Sequence, residues 1–538
     1  MKLLNKFSLS IVIFIILLLG QTGCEEFLDE QPLTDLSEAA MWQNEKHAML
    51  ALTGCYRMSN VGNNAYTNEY LIMESMTDNA GYKHGSVGVI YSGYVREGDT
   101  QVVQAIWNRA YATIFKCNYF LENIDKVEMD AAAKAEVIAE VRFLRAYEYF
   151  YLSTLYGAVP LITKTLTIEE ANTQTRTPQQ QVQNFAIQEL TELAPDLPAE
   201  RPESDRGRIV RAAAYGIKGR LLMTQQNWAE AAAAFKSVID LGVHMIDPRY
   251  KELFEESGET SSENILFTNI LAGLYGNSHN QRNYHPDFYG GYSESFLYQN
   301  LVDAFPMVDG LPIDESPLYD PQNPFENRDP RLYASVFLPF YTEFRGVVYD
   351  PTNELNSLVG ATGYGQKKMV TEDYDGDWGS SGDDIIRMRY AEILLSYLES
   401  KLEAGDMITQ ELLDETINQL RTREAVNIGI VTELSPDKLR EIVRNERRIE
   451  FSQEEFIRWW DIRRWGIMEE RVNRKFYGLK LTDDPENYTQ YSVETEGKYR
   501  GHKIVLDKTG SITSQYQFLP IPIFEININE GLEQNPGY

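Results

Sequence analysis

The stretch from Leu274 to Tyr292 concentrates side chains that are suited to holding a small polar ligand. Its sequence, LYGNSHNQRNYHPDFYGGY, places five aromatic rings among amides, an arginine and two histidines. Flat aromatic faces stack on sugar rings or peptide groups, and amides and guanidinium groups supply directional hydrogen bonds. We therefore predict that this stretch forms the floor of a binding site. The predicted ligand contacts here are Tyr284, Phe288, Tyr289 and Tyr292.

An acidic loop farther along the chain, DYDGDWGSSGDD, has one feature of a calcium-binding loop. Asp373, Asp375 and Asp377 occupy the first, third and fifth positions of an EF-hand pattern. The sixth position, which requires glycine, is Trp378, and the twelfth is Asp384 instead of glutamate. The pattern therefore favours a solvated acidic loop and no metal, with a calcium site as the alternative. We also predict that Trp378 contacts the ligand.

The sequence carries no motif for a catalytic site. Because the chain contains 80 acidic residues, pairs of carboxylates occur at any chosen spacing and do not identify a glycosidase. Neither HExxH nor GxSxG occurs, and the stretch GATGYGQKK has Gln366 where a phosphate-binding loop needs lysine. We therefore expect a non-enzymatic protein without a cofactor.

The N-terminus indicates export. Lys2 and Lys6 lie in a short segment before an apolar run from Ile11 to Leu19. This run is too short to span a bilayer, and the sequence QTGC follows it. A glycine followed by cysteine at this place resembles a bacterial lipobox, although Gln21 replaces the usual aliphatic residue. We predict a signal peptide over residues 1–23, cleavage before Cys24, and acyl chains on Cys24 that hold the protein to a membrane.

The composition narrows the range of partners. The formal net charge is −30, which argues against nucleic acid and anionic lipid surfaces as partners. Beyond Cys24 the cysteines are Cys55 and Cys117, too few for a disulfide framework. We expect both thiols to be buried and unpaired, with a single disulfide as the alternative.

The elements that must position these residues are mainly helical. From Val137 to Leu155 apolar residues recur every three or four positions, and Gly157 and Pro160 follow as helix-ending residues. Ala213–Gly242 resembles a tetratricopeptide unit, in which the small residues Gly216 and Gly219 would allow close helix approach. We count about four helix pairs, and residues 272–384 form an insertion rich in turn-forming residues.

Several segments, in order, resemble the SusD/RagB family of outer-membrane nutrient-binding lipoproteins. They cover nearly the whole chain after the signal peptide. These segments are CEEFLDEQP, WNRAYATIFKCNYFLENID, LYGAVPLITK, LVDAFPMVDGLPI, DIIRMRYAEILLSYLES, NERRIEFSQEEFIRWWDIRRWG and FLPIPIFEININEGLEQNPGY.

The resemblance implies a fold, a partner and a role. The implied fold is mainly α, with four tetratricopeptide-like helix pairs in a right-handed scaffold and a loop-rich second half. The implied organisation is one body with an N-terminal helical region at 24–271 and a C-terminal region at 272–538. The implied role is capture of a glycan or peptide at the cell surface for a SusC-like TonB-dependent transporter. The alternative is a scaffold subunit that binds no nutrient.

The family pattern also places an early loop and the insertion at one shallow ligand site. On that basis, by region only, we add Tyr82 and Tyr341 to the predicted ligand contacts. The late motif NERRIEFSQEEFIRWWDIRRWG, by contrast, alternates arginine with acidic residues, and such pairs fix segments to one another. We interpret its tryptophans, Trp459, Trp460 and Trp465, as core residues and not as a sugar platform.

Overall fold

Helices with buried faces are the main regular elements of the chain. The computed structural model describes residues 41–62, 74–82, 100–277, 279–352, 362–509 and 517–538. None of the helices in these ranges combines the length and the apolar character that crossing a membrane requires. The lipidation prediction at Cys24 lies outside the described residues.

In the described residues, the scaffold is a series of eight helices, each packed against the next member of the series. Taken two at a time they correspond to the four predicted pairs, and the prediction of a mainly helical fold is confirmed. The eight helices, with intervening short ones numbered in chain order, are α1 (Glu45–Met58), α2 (Thr100–Asn123), α3 (Ala131–Tyr156), α5 (Gln179–Leu193), α6 (Arg211–Thr224), α7 (Trp228–Ile239), α10 (Tyr390–Glu403) and α13 (Pro436–Glu450).

The central helix α3 shows how the local sequence sets the boundaries. The Asp130 carboxylate accepts hydrogen bonds from the backbone N–H groups of Ala132 and Ala133, at 2.9 and 3.0 Å, and so caps the first turn. At the other end Gly157 has φ +75°, a conformation that glycine adopts without strain. From Val141 to Tyr156 the helix is buried except at Arg142. The expected helix end at Gly157 is confirmed.

The helix pair α6 and α7 packs closely because glycine lies at the contact. A Cβ added at Gly219 would come 2.5 Å from the ring of Phe235 in α7. One added at Gly216 would collide with the sulfur of Met388. The predicted close helix approach is therefore confirmed at Gly219, whereas the close contact of Gly216 is with Met388, outside α7. The prediction of buried, unpaired thiols is also confirmed, since Cys55 in α1 and Cys117 in α2 are both free and buried.

The second half of the chain consists of short elements joined by long loops. Strands β2 (Asn264–Thr268) and β8 (Ile385–Arg389) pair antiparallel, with Asn264 opposite Arg389. The insertion at 272–384 therefore leaves and re-enters the scaffold at adjacent strands. Three strands of the insertion and one early strand form a four-stranded sheet with the order β1, β3, β7, β4. These strands are β1 (Ala80–Tyr82), β3 (Ser295–Leu297), β4 (Val336–Phe337) and β7 (Gly365–Gln366).

The remaining described elements are short. Two hairpins complete the strands, β5 (Glu343–Phe344) with β6 (Val347–Val348) and β9 (Lys475–Lys480) with β10 (His502–Asp507). The remaining α-helices are α4 (Ile168–Ala171), α8 (Gln299–Val302), α9 (Pro330–Ser335), α11 (Gln410–Glu415), α12 (Ile417–Arg421), α14 (Ile457–Arg464), α15 (Met468–Val472) and α16 (Ile523–Ile528).

Buried ion pairs join these elements around helix α13. The carboxylate of Glu450 lies 2.7 Å from the guanidinium groups of both Arg331 and Arg389, and 3.4 Å from that of Arg423. All four side chains are almost completely buried. One turn earlier, Glu446 pairs with Arg331 and Arg421 at 2.7 and 2.8 Å. Residues four apart share one helix face, so both carboxylates point into the protein.

The late motif is structural, as the sequence indicated. Trp459 and Trp460 are each only 2% exposed. Arg447 pairs with Asp461 at 2.9 Å, and Arg464 pairs with Glu399 at 2.6 Å. The indole N–H of Trp465 donates to Glu399 at 2.7 Å. These contacts fix the motif to helix α10, and its aromatic rings serve the core.

The charges around Glu450 set its ionisation. Burial alone would raise the pKa of Glu450, but the positive charges of Arg389, Arg423 and Arg331 lower it well below its usual range. Removing one member of a buried ion-pair network leaves uncompensated charges in the core, which typically costs 3–5 kcal/mol.

We predict that Glu450→Gln lowers the free energy of unfolding by about 3–5 kcal/mol at pH 7, because three arginines lose their shared acceptor. The wild-type advantage should be complete above the unfolded pKa of about 4.3 and decline as the pH falls below it. Urea denaturation at pH 7 and at low pH measures both effects. The control is Glu441→Gln on the exposed face of the same helix, expected to change stability by less than about 0.5 kcal/mol. Equal effects of the two substitutions would contradict the prediction.

Candidate ligand-binding surface

Two loops of the insertion pack against each other and carry most of the predicted contacts. Asn277 and Ser381 exchange backbone hydrogen bonds at 2.8 and 2.9 Å, which ties residues 277–293 to residues 371–384. The Gln281 amide strengthens this link. It donates to Asp383 at 2.9 Å and accepts from the Thr371 N–H at 3.2 Å. The two loops therefore form one surface that is fixed at its base by β2 and β8.

Trp378 lies on this surface, and its ring packs against neighbouring side chains. Its ring stacks on the imidazole of His285, with centroids 4.3 Å apart and planes inclined by 24°. The Arg345 guanidinium lies 5.1 Å from the centre of the Trp378 ring. Arg345 is itself held by hydrogen bonds to the carbonyls of Glu372 and Tyr374, at 2.6 and 3.1 Å. The partly exposed indole thus has a fixed orientation.

His285 supports the indole as a neutral ring. Its Nδ1 lies 2.6 Å from the Gln281 carbonyl oxygen, so Nδ1 carries the proton and donates it to that oxygen. Burial, and then the positive charges of Arg345 and Lys251, lower the pKa of His285 to about 4. Stacking of Trp378 on a neutral imidazole therefore persists throughout the physiological pH range.

Tyr292 is the most exposed of the predicted tyrosines on this surface. Its side chain is 44% exposed, and the Arg282 guanidinium lies 5.7 Å from the ring centre. Arg282 belongs to a π-helical turn, His279–Asn283, a form that is frequent at functional sites. The Arg282 guanidinium also contacts Gly379, the residue after Trp378. A Cβ added at Gly379 would lie only 2.7 Å from a guanidinium nitrogen of Arg282. Arg282 therefore contacts both Tyr292 and the turn that follows Trp378.

The adjacent glycines let the chain turn beneath Tyr292. Gly290 has φ +90°, in the left-handed region that favours glycine. A Cβ at Gly291 would collide with the backbone of His285, so only glycine permits this close approach. The chain therefore turns at the sequence YGGY and passes back against His285, the residue on which Trp378 stacks.

Tyr289 lies at the inner edge of the surface. Its half-buried ring packs on Phe344 and Phe337, with centroids 5.0 and 6.0 Å away. Its hydroxyl donates to the Val347 carbonyl at 3.1 Å. Tyr289 therefore joins the surface to the hairpin β5–β6, which also supplies Arg345 at its turn.

The structure does not bring all the predicted contacts to one exposed place. Tyr82 and Tyr284 are 8% and 1% exposed, and they lie beneath the surface. The Tyr82 hydroxyl donates a hydrogen bond to the buried carboxylate of Glu294. Tyr341 is 40% exposed but belongs to a separate cluster, stacked on Tyr333. The side chain of Phe288 lies outside the described side chains.

Sequence inspection missed two contributors, Arg345 and His285. Arg345 has φ +51° and precedes Gly346 at the turn of a two-residue hairpin. An RG pair between short β-branched or aromatic runs signals such a turn, but does not reveal that the guanidinium crosses to Trp378. The sequence marks His285 only as one of two histidines in a polar stretch.

The acidic loop does not assemble a metal site. Within the described ranges, no three His, Cys, Asp or Glu side chains approach closely enough to hold a metal ion. Asp377 instead accepts the Gly379 N–H at 2.8 Å, an interaction that shapes the turn after Trp378. The described residues therefore give no support to a calcium site at Asp373, Asp375 and Asp377.

A helical-repeat scaffold carries a loop-rich insertion that presents aromatic rings and guanidinium groups on anchored loops. Comparison with known proteins identifies the family to which this architecture belongs. The model of the SusD family matches residues 263–538, and a model described as "Starch-binding associating with outer membrane" matches residues 26–223. The chain belongs to the SusD family.

Individual relatives extend over different shares of the chain. The chain is similar to a SusD-like carbohydrate binding protein from Bacteroides fragilis whose crystal structure is known. The two sequences are 33% identical, the TM-score is 0.83, and the match covers 91% of this chain and 99% of that chain. SusD-like protein P25 of Formosa agariphila is 27% identical over 50% of this chain and 53% of its own length. Starch-binding protein SusD of Bacteroides thetaiotaomicron is 23% identical over 82% of this chain and 79% of its own.

We predict that His285 titrates near pH 4 in the folded protein, whereas an unfolded histidine titrates near about 6.5. Because the folded pKa is lowered, the stability contribution of His285 is complete above about pH 6.5 and declines as the pH falls towards 4. NMR of protein labelled at the histidine ring carbons, assigned with His285→Phe, measures the titration. A midpoint at or above pH 6 would contradict the buried, neutral assignment.

Proposed function

We propose that the protein captures a glycan on the surface formed by Trp378, Tyr292 and Tyr289, without cleaving it. The observation that carries the proposal is the partly exposed Trp378 ring, which stacks on His285 and lies close to the Arg345 guanidinium. A rigid ring loses little conformational freedom when a sugar stacks on it, and adjacent guanidinium groups can bind the sugar hydroxyls. The carbohydrate-binding relative from Bacteroides fragilis supports this assignment.

The expected affinity is modest. Each stacked aromatic ring contributes about 0.5–1.5 kcal/mol beyond the burial of its area. An open surface with two or three such rings therefore binds in the micromolar to millimolar range. Weak capture suits a protein that must release its ligand to a transporter, because tight binding would slow the transfer.

The proposal extends to the membrane and to a partner. We propose that acyl chains on Cys24 anchor the protein to the outer membrane, facing the cell exterior, and that it delivers the glycan to a SusC-like TonB-dependent transporter. The description of the matching family, which names association with the outer membrane, supports this location. The strongly acidic composition makes direct adsorption to anionic lipid unfavourable, so a covalent anchor is the physically consistent attachment.

We predict that Trp378→Ala and Tyr292→Ala each weaken glycan binding about threefold to tenfold, because each removes one stacking face. Isothermal titration calorimetry of the chain from Glu25 onward, against a panel of oligosaccharides and peptide digests, measures the change. The control is Phe524→Ala, which removes a 56% exposed ring from helix α16.

Each outcome of this titration has a defined meaning. Binding that both site variants leave unchanged would contradict the proposed surface. Binding of peptides alone would replace the glycan with a peptide ligand at the same surface. Recovery of cleaved ligand would contradict a role limited to binding, and no binding across the panel would favour a scaffold subunit.

We predict that Cys24→Ala abolishes incorporation of radiolabelled fatty acid and removes the protein from the outer-membrane fraction. A transporter that co-purifies with the wild-type protein should then be recovered without it. The matched control is Cys55→Ala, which removes a buried thiol and should retain the label. Continued labelling of the Cys24 variant would exclude this cysteine as the anchor.

A further inference from the structure

A second concave region lies near the C-terminal end of strand β3, whereas the surface around Trp378 lies near its N-terminal end. At the start of β3, the Ser293 N–H donates to the His285 carbonyl at 3.0 Å, which places this end beside the proposed surface. At the other end, Gln299 and Asp303 line a pocket of about 420 Å³. This volume falls within the range of small-molecule sites. The pocket shares none of its lining residues with the surface formed by Trp378, Tyr292 and Tyr289.

Aromatic rings form much of the pocket wall. Tyr499 stacks on Tyr477, with centroids 4.4 Å apart and planes inclined by 25°. Tyr319 and Phe325 also line the pocket and are partly exposed. A ring fixed by stacking on a second ring offers a sugar a pre-oriented face, as the stacked Trp378 does.

Phe340 is the most unusual residue of the pocket. It has φ +60°, a conformation that a bulky side chain rarely adopts, and its ring is 56% exposed. The Phe340 N–H donates to the Tyr349 carbonyl at 2.8 Å, which holds the strained backbone in place. The strain keeps an apolar ring in solvent at the pocket edge, where it contributes nothing to the core. Retained strain of this kind is typical of ligand-contacting positions.

The charged groups of the pocket nearly cancel. Lys498 lies 2.9 Å from Asp314 and 3.7 Å from Asp303, and Arg328 supplies the second positive charge. Lys480 and Arg500 are paired with acidic residues outside the lining, Asp483 and Glu486. Burial lowers the pKa of His502, which leaves its imidazole neutral at pH 7. A negatively charged ligand would meet two carboxylates here.

The pocket lining also carries hydrogen-bonding groups. Tyr319 and Tyr499 supply hydroxyl groups to the lining, and Lys498 supplies an ammonium group. Hydrogen-bond donors and acceptors that lie beside aromatic faces suit a sugar, because each sugar hydroxyl group can both donate and accept a hydrogen bond.

We propose that this pocket is a second saccharide site, which takes an uncharged sugar unit between Tyr499 and Phe340. The proposal rests on the glycan-binding function and adds to it a second point of attachment. Two weak sites on one chain can bind a long glycan much more tightly than either does alone, provided that the glycan spans both.

The experiment begins with wild-type protein on an array of neutral, uronate-bearing and sulfated oligosaccharides. The shortest neutral oligosaccharide that binds is then titrated by calorimetry into wild type, Phe340→Gly, Tyr499→Ala and Trp378→Ala. We expect two sites per chain in wild type and one in each variant, with the Phe340 and Tyr499 variants losing the same site. Phe340→Gly should also raise the melting temperature, because glycine relieves the positive φ. A variant that is more stable yet binds less excludes misfolding as the cause.

The outcomes separate the two proposals. One site per chain, lost in Trp378→Ala and intact in Phe340→Gly, would overturn the second site and leave the first. One site lost only in Phe340→Gly and Tyr499→Ala would support the pocket and overturn the surface at Trp378. Binding at the pocket by charged oligosaccharides alone would overturn its assignment to neutral sugars. Absence of binding across the array would overturn both proposals.

Discussion

The buried carboxylate of Glu450 is the interaction on which the second half of the protein depends. Its partners come from distant parts of the chain, Arg331 in α9, Arg389 at the end of β8, and Arg423 after α12. A buried charge without partners is strongly unfavourable, so these segments must converge on helix α13 for any of them to be stable. Charge pairing therefore supplies the long-range order that short helices and two-residue strands cannot supply through apolar burial alone.

This anchoring explains how loops can hold a binding surface in a fixed geometry. Arg389 ends strand β8, and β8 pairs with β2, so the base of the insertion is fixed to the ion-pair network. The loops at 277–293 and 371–384 extend from that base and are cross-linked through Gln281 and Asn277. Binding residues on loops are effective when a rigid scaffold positions them. The orientation of Trp378 thus follows from charges buried deep in the adjacent core.

Local patterns in the sequence predicted the scaffold, but only partly the site. Helix α3 and the glycine contact at Gly219 follow from periodicity and residue size, which are local properties. The same logic does not separate Tyr284, which is buried, from Tyr292, which is exposed, because tyrosine suits both environments. Arg345 was missed because its contact with Trp378 joins residues far apart in sequence. Phe340 was missed because no sequence pattern marks a strained φ at a non-glycine residue.

The distribution of charge also constrains what the protein can capture. Many arginines, such as Arg220, Arg389 and Arg447, are buried in pairs with carboxylates, and these pairs contribute little net charge. The excess that gives the chain its charge of −30 must therefore lie mainly on the surface. Such a surface repels polyanions, so long-range attraction does not bring an acidic ligand to it. Recognition must come from short-range stacking and hydrogen bonding, which are the interactions that rigid rings beside amides and guanidinium groups provide.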